Sequence, residues 1–233
     1  MKESNVLYYG ERGLVAGIVA DTIAKKADRK LLERVVWHGK TPDFVREVEY
    51  CEYLPEYPLG DFGTPDLIIT AHTAGAKFVI FLEAKVVGYA NACSQEASFR
   101  QARTVNVQLA LDRRFRLALT KGGGDNLEIC ETEDYDSGIV RDRARSLRKG
   151  AFTSFCRKTL ADADGYYYVA LTTDEEAEDP YGKDDVLKAL VGAAWESEKN
   201  RFGLLTYGAL EEAGIVSRDG GAFAQAARLM LPV

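Results

Sequence analysis

Two short runs in this 233-residue chain hold side chains that could do chemistry together: Gly63-Thr64-Pro65-Asp66 and, after sixteen intervening positions, Glu83-Ala84-Lys85. Along one extended strand Glu83 and Lys85 point to the same face and Ala84 to the other. The flanking runs, Asp66 to His72 and Lys77 to Val87, are β-branched and aromatic, and Thr73-Ala74-Gly75-Ala76 joins them, which predicts a hairpin. A two-residue Gly75-Ala76 turn would set Asp66 opposite Lys85, and a four-residue 73–76 turn would set it opposite Glu83. Either register gathers all three side chains on one face, where cross-strand neighbours stand about 5 Å apart. Two carboxylates and an ammonium at the end of an apolar hairpin are expensive to bury unless the negative charge is compensated. Hard Mg²⁺ or Mn²⁺, which takes carboxylate oxygens, a backbone carbonyl and waters, is the natural compensator. The lysine can then orient or deprotonate a metal-held water, or stabilise charge growing on a phosphoryl oxygen. That set of groups suits metal-dependent phosphodiester hydrolysis.

The elements that must position these groups follow from periodicity. Between Glu11 and Ala27, apolar residues Leu14, Val15, Ile18, Val19 and Ile23 recur at helical spacing, with Gly13 and Gly17 permitting close packing. Glu11 begins the stripe that faces the core, an unusual place for a charge. Residues 45–54 predict a strand with Val45, Glu47, Glu49 and Cys51 on one face; Glu49 is a reserve ligand there. The continuously apolar Phe-Val-Ile-Phe-Leu run, residues 78–82, suits a strand covered on both faces. A long helix is expected from about 97 to 119, with Gln101 and Gln108 inside its apolar stripe, ending at Lys121-Gly-Gly-Gly. A basic helical stretch over 139–162, a strand over 166–171, a helix over 183–194, a strand over 202–207 and a terminal helix complete the chain. Helices covering a central sheet are the expected architecture.

At this point the residues resemble the PD-(D/E)xK nuclease superfamily with its restriction-endonuclease-like fold. The resemblance implies an α/β fold whose αβββαβ core carries a central mixed sheet flanked by helices, covering roughly residues 8–172. Extra C-terminal α and β elements, 173–233, would complete a single domain spanning 1–233. It implies Asp66 and Glu83 as metal ligands, Lys85 as the catalytic lysine and Glu11 as an auxiliary ligand from the first helix. It also implies a glutamine on the helix after the third strand. Gln108-Leu109 looks like the family's Gln-Leu pair, although Asp112 and Arg113 stand where a downstream tyrosine is usual. Gln101 lies nearer the helix start, and both glutamines are retained. The activity implied is that of a Mg²⁺- or Mn²⁺-dependent deoxyribonuclease acting on DNA, with an endonuclease preferred. The alternative is a noncatalytic nucleic-acid-binding or protein-interaction module on the same fold.

Composition sets the outer bounds. With 46% hydrophobic and 28% charged residues the chain is of ordinary globular type. Its 30 Lys and Arg against 36 Asp and Glu leave a net charge of −6, so a polyanion must be met by local basic patches. Arg100 and Arg103 on the long helix, and Arg141, Arg145, Arg148 and Lys149 on the second basic stretch, are the candidate phosphate contacts. The cysteines, Cys51, Cys93, Cys130 and Cys156, are too far apart for a CxxC metal site. The longest apolar stretch, Leu14 to Ala24, is interrupted by Asp21 and too short to span a bilayer. A cytoplasmic protein without membrane contact, working alone or as a homodimer, is expected. Only His38 and His72 are present, in no HExxH setting, and no GxSxG elbow occurs.

Overall fold

A computed structural model describes residues 11–59, 64–85, 108–110, 112–113, 115–116, 160–173, 187–188 and 191–230. Its centre is a six-stranded mixed sheet in the order β1-β6-β5-β4-β3-β2. Strands β2 (Tyr50–Pro55), β3 (Leu67–His72) and β4 (Lys77–Ala84) form an antiparallel meander. Strand β5 (Gly165–Thr172) runs parallel to β4, and β6 (Phe202–Thr206) parallel to β5. The two-residue β1 (Val36–Trp37) closes the far edge antiparallel to β6. Helices cover both faces. On one lie α1 (Glu11–Lys25), α2 (Asp28–Leu32), α4 (Tyr207–Glu212) and α5 (Ala222–Met230). They pack Leu14, Val15, Ile18, Leu210 and Phe223 against the sheet residues Leu67, Ile69, Ile80, Leu82 and Val169. On the other face, the helical residues Leu109, Ala110 and Phe115 cover Ile68, Val79, Phe81 and Tyr168, together with Trp195 from the short α3 (Trp195–Glu198).

The alternation of the two clusters along β3 and β4 is what a doubly covered strand requires, and it explains the absence of polar positions in residues 78–82. The segment beyond 173 does more than decorate this core: β6 lies inside the sheet, and Tyr207, Leu210 and Phe223 are fully buried. Glu198 of α3 also pairs with Arg113 (2.7 Å) and Arg116 (3.0 Å), bracing the helical residues that follow β4.

Two expectations change. Residues 43–47 form a 3₁₀ turn (Asp43–Glu47) rather than the start of a strand, because Pro42 opens it and Phe44 and Val45 both turn into the core. Strand β2 therefore begins at Tyr50. Within the predicted 183–194 helix, residues 187–188 and 191 are helical and Gly192–Ala194 is a 3₁₀ turn. Tyr166 and Tyr168 are core residues, as expected of an interior strand.

Helix α1 is fixed by its crossing with α5. A Cβ on Gly17 would stand 2.6 Å from the backbone of Phe223, so only glycine allows this approach. The buried Asp21 accepts from Ala222 N (2.8 Å) and Phe223 N (3.3 Å), satisfying otherwise orphaned donors at the start of α5. Gly17→Ala, which forces backbone against backbone, is expected to destabilise by about 1–3 kcal/mol. Asp21→Ala should destabilise by about 1–2 kcal/mol. Denaturant unfolding checks both, and a wild-type midpoint for either variant would show that the crossing relaxes freely.

Candidate functional site

The 73–76 turn sets the hairpin register. Thr73 N donates to Ala76 O (3.0 Å), and Thr73 Oγ1 accepts from Ala76 N (3.1 Å). His72 therefore pairs with Lys77 and Leu67 with Leu82, and the same register places Asp66 opposite Glu83, the four-residue alternative. Asp66 follows Pro65 and stands one residue before β3, and Asp66 Oδ2 accepts from Ala84 N at 2.7 Å. Lys85 follows β4 and is tied to β5 by Lys85 N donating to Leu171 O (2.8 Å).

The side chains converge on the lysine. Lys85 Nζ lies 3.0 Å from Glu83 Oε1, 3.2 Å from Glu11 Oε2 and 3.9 Å from Asp66 Oδ2, and it donates to Ala84 O at 2.8 Å. Glu11 reaches it from the first residue of α1, as the charge at the head of that stripe suggested. The Glu83 side chain is 8% exposed, with Oε1 held by Lys85 and Oε2 buried without a hydrogen-bond partner. Among the described residues no three Asp, Glu, His or Cys side chains converge as a ready ligand set. The group that stands among these carboxylates is the lysine's ammonium.

The electrostatics show how marginal that compensation is. Burial pushes the Glu83 carboxyl up to about 7, the Asp66 charge pushes the same way, and the opposing pull of Lys85 is outweighed. Burial also raises Asp66 above the ordinary carboxylate range, against the help of Lys85 and the Ala84 N–H. Burial alone would lower the Lys85 ammonium, but Glu83, Asp66 and Glu11 together hold it above its usual value. One ammonium thus serves three carboxylates, and a buried oxygen of Glu83 is left over. Carboxylate oxygens are the donors that hard divalent cations take, and here the Lys85 ammonium stands among them.

A pH dependence follows. In the unfolded chain Glu83 ionises near 4.5, and in the folded protein near 7. The metal-free protein should lose stability as pH rises from about 4.5, with the loss complete above about 7. Its size is about 3 kcal/mol. Unfolding of wild type and Glu83→Gln in chelator at pH 5 and pH 8 tests this: Glu83→Gln should lose that part of the dependence, and equal slopes would remove the burial account of Glu83.

The remaining expectations divide. Gln108 is described, and its Nε2 donates to Asp112 Oδ1 at 3.0 Å, which links it to the acidic group rather than to Lys85. Glu49 is exposed, and Glu49 N bonds to His72 O at the opposite end of the β2–β3 pair, so it is no ligand for this site. His72 lies at that same end, with Nε2 3.0 Å from Glu52 and its ring stacked on Tyr50. Gln101, Arg100, Arg103, Arg141, Arg145, Arg148 and Lys149 lie outside the described residues. Two acids were missed. Glu56, in a left-handed conformation (φ 50°), is ion-paired with Arg12, donates its N–H to Asp66 O (3.1 Å) and adds its charge to Asp66. Asp112 is fully buried. Its signal was present, since positions 108, 112 and 115 share one helical face and an acid between Gln108 and Phe115 is as unusual there as Glu11 is in α1.

No family model, curated protein or solved structure matches the chain. Among the described residues no helix is long and apolar enough to cross a membrane.

Proposed function

We propose that the chain is a Mg²⁺- or Mn²⁺-dependent nuclease that hydrolyses DNA phosphodiester bonds, built on a restriction-endonuclease-like core. The observation that carries the reading is the convergence of Glu11, Asp66 and Glu83 on Lys85 Nζ, with a buried Glu83 oxygen left unsatisfied. The order of α1, the antiparallel β2–β3–β4 meander, the helical residues 108–116 where described, and the parallel β5 supports it.

Asp66 and Glu83 would hold the divalent cation, with Glu11 as auxiliary ligand. Such an ion supplies positive charge opposite the scissile phosphate and lowers the pKa of the attacking water. The chain's own groups do the rest. Asp66 is oriented by the Ala84 N–H, so its carboxylate keeps one direction. Lys85, released from its carboxylate partners, would donate hydrogen bonds to the phosphoryl oxygens, where charge grows as the water oxygen, its proton passed to bulk solvent, bonds to phosphorus and the P–O bond to the leaving oxygen breaks, that oxygen taking a proton from solvent. Apolar packing on both faces of β4 keeps the strand end rigid, which fixes the spacing of ligand and lysine.

The test is incubation of the purified chain with linear, circular and single-stranded DNA in Mg²⁺, Mn²⁺ or chelator. Cleavage with either metal and none in chelator is the expected result. DNA left intact under every condition would favour a noncatalytic binding module on the same fold.

A further inference from the structure

The helical stretch behind β4 brings another carboxyl toward this site. Asp112 is fully buried; its Oδ1 accepts from Gln108, and its Oδ2 has no hydrogen-bond partner. Arg113, the cation beside it, and Arg116, one turn on, are engaged with Glu198. The charges acting on Asp112 are those of Glu83 first and then Asp66, both negative. Glu83 has the same defect, one oxygen taken by Lys85 and the other buried and unsatisfied. The contact of Phe115 with Phe81, ring centres 6.1 Å apart, lays this helical stretch on the strand that carries Glu83. Both carboxyls are buried with an orphaned oxygen, and the Glu83 charge adds to the cost of ionising Asp112; beyond Lys85, which meets only the other oxygen of Glu83, no cation among the described residues meets these two oxygens.

The geometry points to Asp112 as a further ligand of the divalent cation, its Oδ2 and the Oε2 of Glu83 being the two oxygens the ion would satisfy. This rests on the reading of Asp66 and Glu83 as cation ligands. It gives this chain a carboxylate from the helix as well as those from the hairpin and α1, and it assigns Gln108 the task of holding Asp112 in place. Asp112→Asn is nearly isosteric and keeps an acceptor for Gln108, so it removes the charge and little else.

Calorimetric Mn²⁺ titration of the full chain, beside melting curves with and without Mn²⁺, tests the assignment on wild type, Asp112→Asn and Asp66→Ala. Asp112→Asn is expected to bind Mn²⁺ roughly tenfold or more weakly and to show a smaller Mn²⁺-induced rise in melting temperature. Its metal-free melting temperature should equal or exceed that of wild type, an outcome a purely structural role would not give. Should Asp112→Asn fail to fold, Asp112→Ser is read in the same way. Wild-type Mn²⁺ affinity in the Asp112 variant, with Asp66→Ala deficient, overturns the role of Asp112 alone and leaves a proton shared between Asp112 and Glu83 as the explanation. Absence of Mn²⁺ binding by wild type overturns the cation site itself.

Discussion

Lys85→Ala is expected to cut DNA on the order of a hundred- to thousandfold more slowly than wild type in single turnovers at saturating Mn²⁺. An ammonium is no metal ligand, so its loss should not weaken Mn²⁺ binding. The structure sharpens this: Lys85 Nζ is the shared partner of Glu11, Glu83 and Asp66 when no cation is present, so removing it should tighten Mn²⁺ binding by removing a competitor for the same oxygens. Lys85→Arg should rescue poorly, because a planar guanidinium cannot reproduce a compact ammonium reaching Ala84 O and two carboxylates at once. A Lys85→Ala chain that cleaves at the wild-type rate would reduce Glu83-Ala84-Lys85 to a strand end.

The second large effect belongs to the carboxylates. Asp66→Ala or Glu83→Ala should abolish tight Mg²⁺ or Mn²⁺ binding and with it cleavage, yet leave the fold standing. Each substitution removes a charge whose burial already opposes ionisation, so the metal-free variant should melt at or above the wild-type temperature. Glu83→Ala carries the larger rise, since its carboxyl is the more deeply buried of the two and retains an unsatisfied oxygen. Calorimetric titration alongside thermal melting measures both halves; unchanged affinity in either variant would discard that residue as a ligand.

What the sequence disclosed was the part of the molecule governed by local rules. The β3–β4 hairpin was legible from β-branched runs around a polar four-residue turn, and with it the shared face of Asp66, Glu83 and Lys85. Glu11 was legible as a charge placed inside an apolar helical stripe. The same rule applied to Asp112 would have found it, but that position was read only as a missing tyrosine. Strand β1 left no trace, because its two residues gain their pairing from β6, some 165 positions later in the chain. Residues 45–47 mimicked strand alternation, and burial of the adjacent Phe44 and Val45 settled them as part of the 3₁₀ turn Asp43–Glu47. Glu56 was invisible for another reason: its place beside Asp66 depends on a left-handed backbone turn at the end of β2, which no residue type at that position announces.

The most direct measurement of the central claim is an anomalous-scattering map from crystals of the chain grown with Mn²⁺. The account predicts a peak about 2.1 Å from carboxylate oxygens of both Asp66 and Glu83, with Lys85 Nζ withdrawn from its present place among Glu11, Asp66 and Glu83. A map with no peak there, Lys85 still bridging the three carboxylates at saturating Mn²⁺, would contradict it.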